Sequence, residues 1–321
     1  MRKCLIFGGV ALAVLALVAW FEPTRVIMGT LRCESFSAGR PTSFWKLALV
    51  SDDPATKENA YKTLKDGAAD SVGVLVALLG EPDGSPAAAE LRWTAAEILG
   101  KIGPPAKVAA QPMLAALDDR DPHVRSVAAA ALPEIDTPAE TAVPALQKLL
   151  PTATGRTAAR ALSKYRAAAS PAIPLLVEML NHKSLDSETR WNAARTLGKI
   201  GPAAKEAIPA LVANLKDDVE TVREHAAEAL GDIGPVAKET VPALVDVLSD
   251  PAVKVRRDAV RSLGQIGPAA KEAVPAIQKL LADPEKIVQD AAQKALQLIA
   301  PEEAAATETK PDAQTPPAKS P

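Results

Sequence analysis

Aromatic residues are scarce in this chain. Phe, Trp and Tyr make up 3% of its 321 residues, although 48% are hydrophobic. A core of that kind consists of small aliphatic side chains, which suits closely packed helices. Cysteine is scarce too. Cys4 and Cys33 flank an apolar run on opposite sides, which excludes a disulfide framework and leaves packing to hold the fold. Excess charge of either sign is missing, with 37 Lys and Arg against 39 Asp and Glu. That balance gives no electrostatic footprint for nucleic acid. Histidine occurs only at positions 123, 182 and 225. No nucleophile–base pair, phosphate loop or pair of catalytic carboxylates stands out. The expectation is therefore a non-enzymatic protein with no cofactor and no metal.

The two ends differ from the middle. Met1-Arg2-Lys3 is basic, Leu5 to Phe21 is an unbroken apolar run of 17 residues, and Glu22-Pro23 ends it. Residues 1–21 read as a signal-anchor or a cleaved signal peptide. The bulky Ala19-Trp20-Phe21-Glu22 ending is unlike a small-x-small cleavage site and favours retention. The leading charge predicts that everything after the run lies outside the cytoplasm. The chain would then be membrane-anchored, or secreted if the signal is removed. Residues 22–41, which mix Gly, Pro, Ser and Arg, read as a tether. Residues 301–321 contain no large apolar side chain and are expected to be disordered.

Between the ends the string Leu-Gly-x-Ile-Gly-Pro recurs. It starts at Leu99, Leu197, Leu230 and Leu263, with worn copies at Leu132 and Leu296 and weaker anchors at Leu64 and Leu162. From Leu64 to Leu296 the steps are 35, 33, 30, 35, 33, 33 and 33 residues. A fixed period of this length means stacked supersecondary units, each covering a neighbour's apolar face. In the unit from Asp218 to Asp250, Val222, Ala226, Ala229, Leu230 and Ile233 recur at helical spacing, which predicts a helix over 221–230. Gly231 is expected as its cap and Gly234-Pro235 as the turn. Pro242 is expected in the first turn of a second helix, where its missing N–H costs nothing. The fold class that follows is all-α: a solenoid of antiparallel helix pairs over 42–300. The segment 44–54 would form a half repeat capping the open end.

The unit Val-Arg-x-x-Ala-Ala-x-Ala-Leu-Gly-x-Ile-Gly-Pro…Val-Pro-Ala-Leu resembles the short HEAT-like repeat of phycobilisome lyases, over about 52–299. That resemblance implies a helical scaffold, and enzyme activity does not transfer with a scaffold. Some HEAT-like proteins, the deoxyhypusine hydroxylases, hold two irons through repeated His-Glu pairs. Here Glu224-His225 reverses that order and occurs once, so it cannot supply a di-iron ligand set. His225 therefore reads as a solvated helix-face residue. The function the sequence favours is protein–protein interaction by a scaffold at an extracytoplasmic membrane face, with protein partners and the membrane as its contacts. The alternative is a lyase-like or other enzyme accessory subunit that holds a small molecule between repeats.

Several columns run through the repeats. Arg92, Arg125, Arg190, Arg223 and Arg256, continued by Gln289, sit seven residues before an anchor; Asp119, Asp217, Asp250 and Asp283 recur near the repeat junctions. Stacking would turn these into ion-pair and capping ladders. Lys107, Lys205, Lys238 and Lys271 fall in the turns and read as a solvated edge. The face lined by second helices is expected to be concave and partner-binding. Its variable positions include Lys148, Glu178, Asn181, Asn214, Asp246 and Lys279. Trp93 and Trp191 stand where other repeats are polar, and both fall within the longer 35-residue steps, after loops two residues longer. Each indole either covers its own longer loop or serves as a partner hot spot.

Overall fold

The computed structural model describes residues 25–301, Asp83 and the Ile27 side chain excepted. The apolar run at 5–21 and the tail from 302 onward lie outside the described residues. Helices dominate, and the chain divides into two compact units at Leu149/Leu150.

The first unit opens with a part of the chain that the sequence reading assigned to a tether. Over 25–41 it is folded instead, and this is a correction. Helix α1 (Val26–Leu31) leads into a two-stranded antiparallel hairpin of β1 (Phe36–Ser37) and β2 (Arg40–Pro41). The hairpin gives the buried Trp45 indole two acceptors, the carbonyls of Ser37 and Arg40, each at 3.2 Å. A buried Ser37–Ser71 hydroxyl pair at 2.8 Å fastens it further. An indole N–H taken out of water needs such partners, so Trp45 explains why this segment folds back.

Helix α2 (Thr42–Leu49), α3 (Pro54–Asp66) and α4 (Val72–Leu79) follow, with Trp45, Ala48 and Leu49 on the buried side of α2. Then come α5 (Pro86–Ile102), α6 (Ala110–Ala115), α7 (Pro122–Ala131) and α8 (Ala139–Leu149). Asp53, Ser85 and Asp121 cap α3, α5 and α7 through backbone N–H groups of the first turn. Each satisfies donors that a helix start leaves open. Helix α5 packs on α7 as the next repeat's first helix.

The second unit contains α9 (Gly155–Lys164), α10 (Ile173–Asn181), α11 (Ser187–Ile200), α12 (Ile208–Asn214), α13 (Glu220–Ile233), α14 (Val241–Asp246), α15 (Val253–Ile266), α16 (Val274–Lys279) and α17 (Lys286–Ile299). First helices stack on first helices in the order α9, α11, α13, α15, α17. A 3₁₀ turn joins each of the first four to a short second helix, and Pro174, Pro209, Pro242 and Pro275 sit in the first turn of those helices.

The two glycines of the repeat do different jobs. Gly103, Gly201, Gly234 and Gly267 have φ of 76° or 77°, a left-handed conformation that ends the first helix. The preceding glycine was expected to be the cap, yet Gly231 lies inside α13, which runs to Ile233. A Cβ on Gly231 would stand 2.7 Å from Ser262 Cα of α15. It is glycine because the next helix comes too close for any side chain. The core between these helices is otherwise alanine and leucine, with Ala193, Ala194, Ala226, Ala227, Leu197 and Leu230 essentially inaccessible.

Candidate functional site

The arginine column forms the ladder its spacing suggested. Arg92, Arg223 and Arg256 each grip the aspartate 27 residues ahead through two parallel bonds. The Nε bonds to Asp119, Asp250 and Asp283 are 2.7, 2.8 and 2.9 Å. The Nη2 bonds to the second oxygens are 3.1, 3.0 and 3.0 Å. Within a repeat, Arg125, Arg223 and Arg256 donate Nη1 to the carbonyl six residues earlier, and Gln289 does the same through Nε2. The aspartates also accept the backbone N–H two residues on, in Asp121, Val219, Ala252 and Glu285. Each rung thus satisfies a buried or half-buried guanidinium and carboxylate and a loop N–H together. The Arg256 hydrogen bond holds the Asp283 carboxyl below the usual carboxylate range. At Asp119 burial pushes the carboxyl up, but Arg92 and the backbone outweigh it and the net shift is downward.

One rung differs, one lacks its aspartate because Thr152 stands 27 residues after Arg125, and one lacks both partners. At Asp217 the exposed Lys183 shares the carboxylate, and Arg190 reaches it through Nη1 at 2.5 Å while its buried Nε has no partner. The rung that lacks both partners starts in the 30-residue step. Seven residues before Leu162 stands Gly155 in place of arginine, and 27 residues further on stands His182 in place of aspartate. Helix α9 spans 10 residues where α11, α13, α15 and α17 span 14, because its first turn is missing. A Cβ on Gly155 would lie 2.1 Å from the Leu150 carbonyl and 2.9 Å from Met179 Cε. Beside this break a cavity of about 310 Å³ opens between the start of α9, the end of α10 and the loop before α11. Leu150, Leu175, Met179 and Leu185 line it, with Glu178 and His182 among its polar residues. Sequence reasoning recorded the short step and missed the break. Counting seven back from Leu162 is the signal that reveals it.

The variable second-helix positions are not all exposed. Lys148, Glu178, Asn181, Asp246 and Lys279 are exposed on their helices. Asn214 is a correction: it is 3% exposed, and its Nδ2 donates to Asn181 Oδ1 and to the Ala210 carbonyl, both at 2.9 Å. A polar side chain at an inter-helix position turns inward when a polar neighbour one repeat away can meet it. Its own Oδ1 is buried without a hydrogen bond. Trp93 and Trp191 are partly exposed and meet histidines of the following repeat. Trp93 meets His123 edge-on at 5.1 Å, and Trp191 meets His225 at 4.6 Å and 35°. His225 Nδ1 pairs with Glu228 at 3.0 Å, which lowers the Glu228 carboxyl to about 2, chiefly through that hydrogen bond. His225 is therefore held in a ring and carboxylate contact and is not simply solvated. In the turn column, Lys107 pairs with Asp136 at 2.7 Å, and Lys205 and Lys238 are exposed. Among the described residues no group of three or more His, Cys, Asp or Glu is arranged to hold a metal ion.

Sequence comparison agrees with this architecture. A family profile for HEAT repeats matches residues 85–163, 110–186, 152–231, 174–252 and 241–307. The chain belongs to the HEAT-repeat family. No curated protein matches it. Among solved structures, the karyopherin Kap121p bound to the SUMO protease Ulp1p aligns with a TM-score of 0.61 at 13% identity, covering 83% of this HEAT chain and 34% of Kap121p. The chain thus spans about a third of that relative, and at this identity the likeness shows the fold. An engineered protein aligns at 29% identity and a TM-score of 0.48, over 59% of this chain and 96% of its own. The complex of CpcE and CpcF of phycocyanin lyase from Nostoc sp. PCC7120 aligns at 21% identity and a TM-score of 0.39, over 49% and 98%.

Proposed function

We propose that this HEAT-repeat chain is a non-enzymatic scaffold that binds protein partners through the side lined by its second helices, at an extracytoplasmic membrane face. The observation that carries the reading is how the polar residues are divided. The arginines and aspartates of the first helices and junctions are engaged in the ladder. The second helices leave Glu178, Asp246 and Lys279 exposed, with chemistry that varies from repeat to repeat. Repeats of fixed framework and varied outer residues suit extended recognition of another macromolecule. Kap121p, which shares the fold, is seen bound to proteins.

The membrane part of the proposal rests on the sequence alone, on the basic start and the apolar run at 5–21. No helix among the described residues is long and apolar enough to cross a membrane.

Photo-crosslinking from native membranes tests the reading. A crosslinker placed at Asp246 and at Lys279 should capture the same protein, and one at Lys254 on the first helix α15 should not. Capture only from Lys254 would overturn the assignment of the binding side. Release of the chain by alkaline carbonate would overturn membrane anchoring.

A further inference from the structure

We propose that the cavity at the missing rung is a docking pocket for a protein segment that presents one apolar anchor side chain beside a basic residue. The proposal rests on the protein-binding reading and names where the partner is held. At about 310 Å³ the cavity is at the lower end of ligand pockets, which run about 300–1,000 Å³. That suits one or two side chains better than a cofactor. Its floor is aliphatic: Leu150, Leu175, Met179 and Leu185. Leu175 is only half-buried, so the floor is reachable from outside. Met179 is a side chain that reshapes easily around a guest.

The charge at the rim supplies the second half of the recognition. In regular rungs a guanidinium and a carboxylate fill the junction; here Gly155 and His182 replace both, and the space loses its own ion pair. Arg156 on the rim is already engaged, with Glu188 at 2.6 Å and Asp186 at 3.6 Å. Asp186 also accepts the backbone N–H and the hydroxyl of Thr189. Glu178 is exposed and has no ion-pair or hydrogen-bond partner among the described residues. The one uncommitted charge at the mouth is therefore negative, and a basic residue next to the anchor complements it. Removing buried charge from a junction while leaving an unpaired carboxylate at its edge makes an apolar pocket with a cation-seeking rim.

The test uses the purified full-length chain in mild detergent and a displayed library of random twelve-residue peptides. Selected peptides should carry Leu, Ile, Met or Phe next to Lys or Arg. Ala153 is exposed at the mouth, so Ala153→Trp should close it and weaken selected peptides by at least about tenfold, and Glu178→Lys should weaken them by about threefold to tenfold. With methyl-labelled methionine, peptide should shift the Met179 resonance and leave Met28 and Met113 in place. Thermal melts of both variants check folding; should Ala153→Trp fail to fold, Glu178→Lys and the Met179 shift still decide. Peptides that bind both variants normally and leave Met179 unshifted overturn the pocket while the broader protein-binding reading stands on the crosslinking result. Failure to select any peptide also overturns it, as does a Met179 shift produced only by small apolar amines.

Discussion

Two neighbouring stretches of the second unit use the same repeat in different ways. Residues 187–299 keep first helices of 14 residues, and from α13 onward each rung is bidentate. Residues 150–186 have a first helix of 10 residues and no rung, with a cavity beside the break. Both stretches bury their anchor leucines, Leu162 as fully as Leu230. The hydrophobic framework therefore survives the loss of the polar one. Apolar contact is non-directional and tolerates a missing turn, whereas a fork-shaped hydrogen-bonded pair needs its partner at one distance. The ladder fixes register, and a repeat without it is free to carry something else.

The largest way to break this comparison is to remove half of a rung. Arg256→Ala leaves the buried Asp283 carboxylate unpaired, and the loss should be about 3–5 kcal/mol in chemical denaturation. His182 is exposed at the corresponding place in the broken rung, so His182→Ala should stay within about 0.5 kcal/mol. Equal costs at the two positions would mean that the ladder contributes nothing to holding 187–299 together.

Next in size is the hydrophobic anchor. Leu230→Ala truncates a fully buried side chain and should cost about 2–5 kcal/mol. In a stack where each repeat contacts only its neighbours, amide exchange should quicken mainly across 187–266. Uniform loss of protection from 150 to 299 would show that the unit opens as one body and that repeat-by-repeat reasoning fails here.

Acid should separate the stretches more gently. The Arg256 hydrogen bond depresses the Asp283 carboxyl. At Asp217 burial raises it, and Lys183, the backbone and Arg190 together bring it below the ordinary value. A carboxylate with a depressed folded pKa contributes stability that is complete above its unfolded pKa, about 4, and is lost as pH falls through the folded one. The melting temperature should therefore fall below about pH 4, with exchange in 187–299 rising first. Asp283→Asn should flatten that acid slope. An unchanged slope would remove Asp283 from the acid response.

Much of this was legible in the sequence because a repeat repeats its chemistry. The period implies the helix pairs, and the seven-residue offset from most anchors implies the arginine ladder. What stayed hidden required a distance. Gly231 looks like a cap until Ser262 is found 2.7 Å from where its Cβ would be. Asn214 looks like a surface residue until Asn181, one repeat away, supplies its acceptor. The fold of 25–41 depends on the Trp45 indole finding two carbonyls in a hairpin whose strands are two residues each, too short to leave a periodic signal. Gly155 and His182 were readable by counting, but a worn repeat gives no motif to prompt the count.

The smallest expected effect concerns the tryptophans, which the lengthened loops had suggested as loop covers or partner anchors. The geometry adds a third role, a ring contact to the next repeat. Trp191 and His225 lie 4.6 Å apart at 35°, and Trp93 and His123 lie 5.1 Å apart at 70°. An aromatic pair of this kind contributes about 0.5–1.5 kcal/mol beyond its buried area. A double-mutant cycle of Trp191→Ala with His225→Ala should therefore show a coupling of that size, because each single change removes the same contact. His225 is the better held of the two histidines, since Glu228 fixes its Nδ1 at 3.0 Å, whereas His123 is exposed. The Trp93–His123 cycle should consequently give the smaller coupling. Additive single effects at Trp191, together with loss of partner crosslinking in Trp191→Ala, would show that the indole serves a partner instead of joining one repeat to the next.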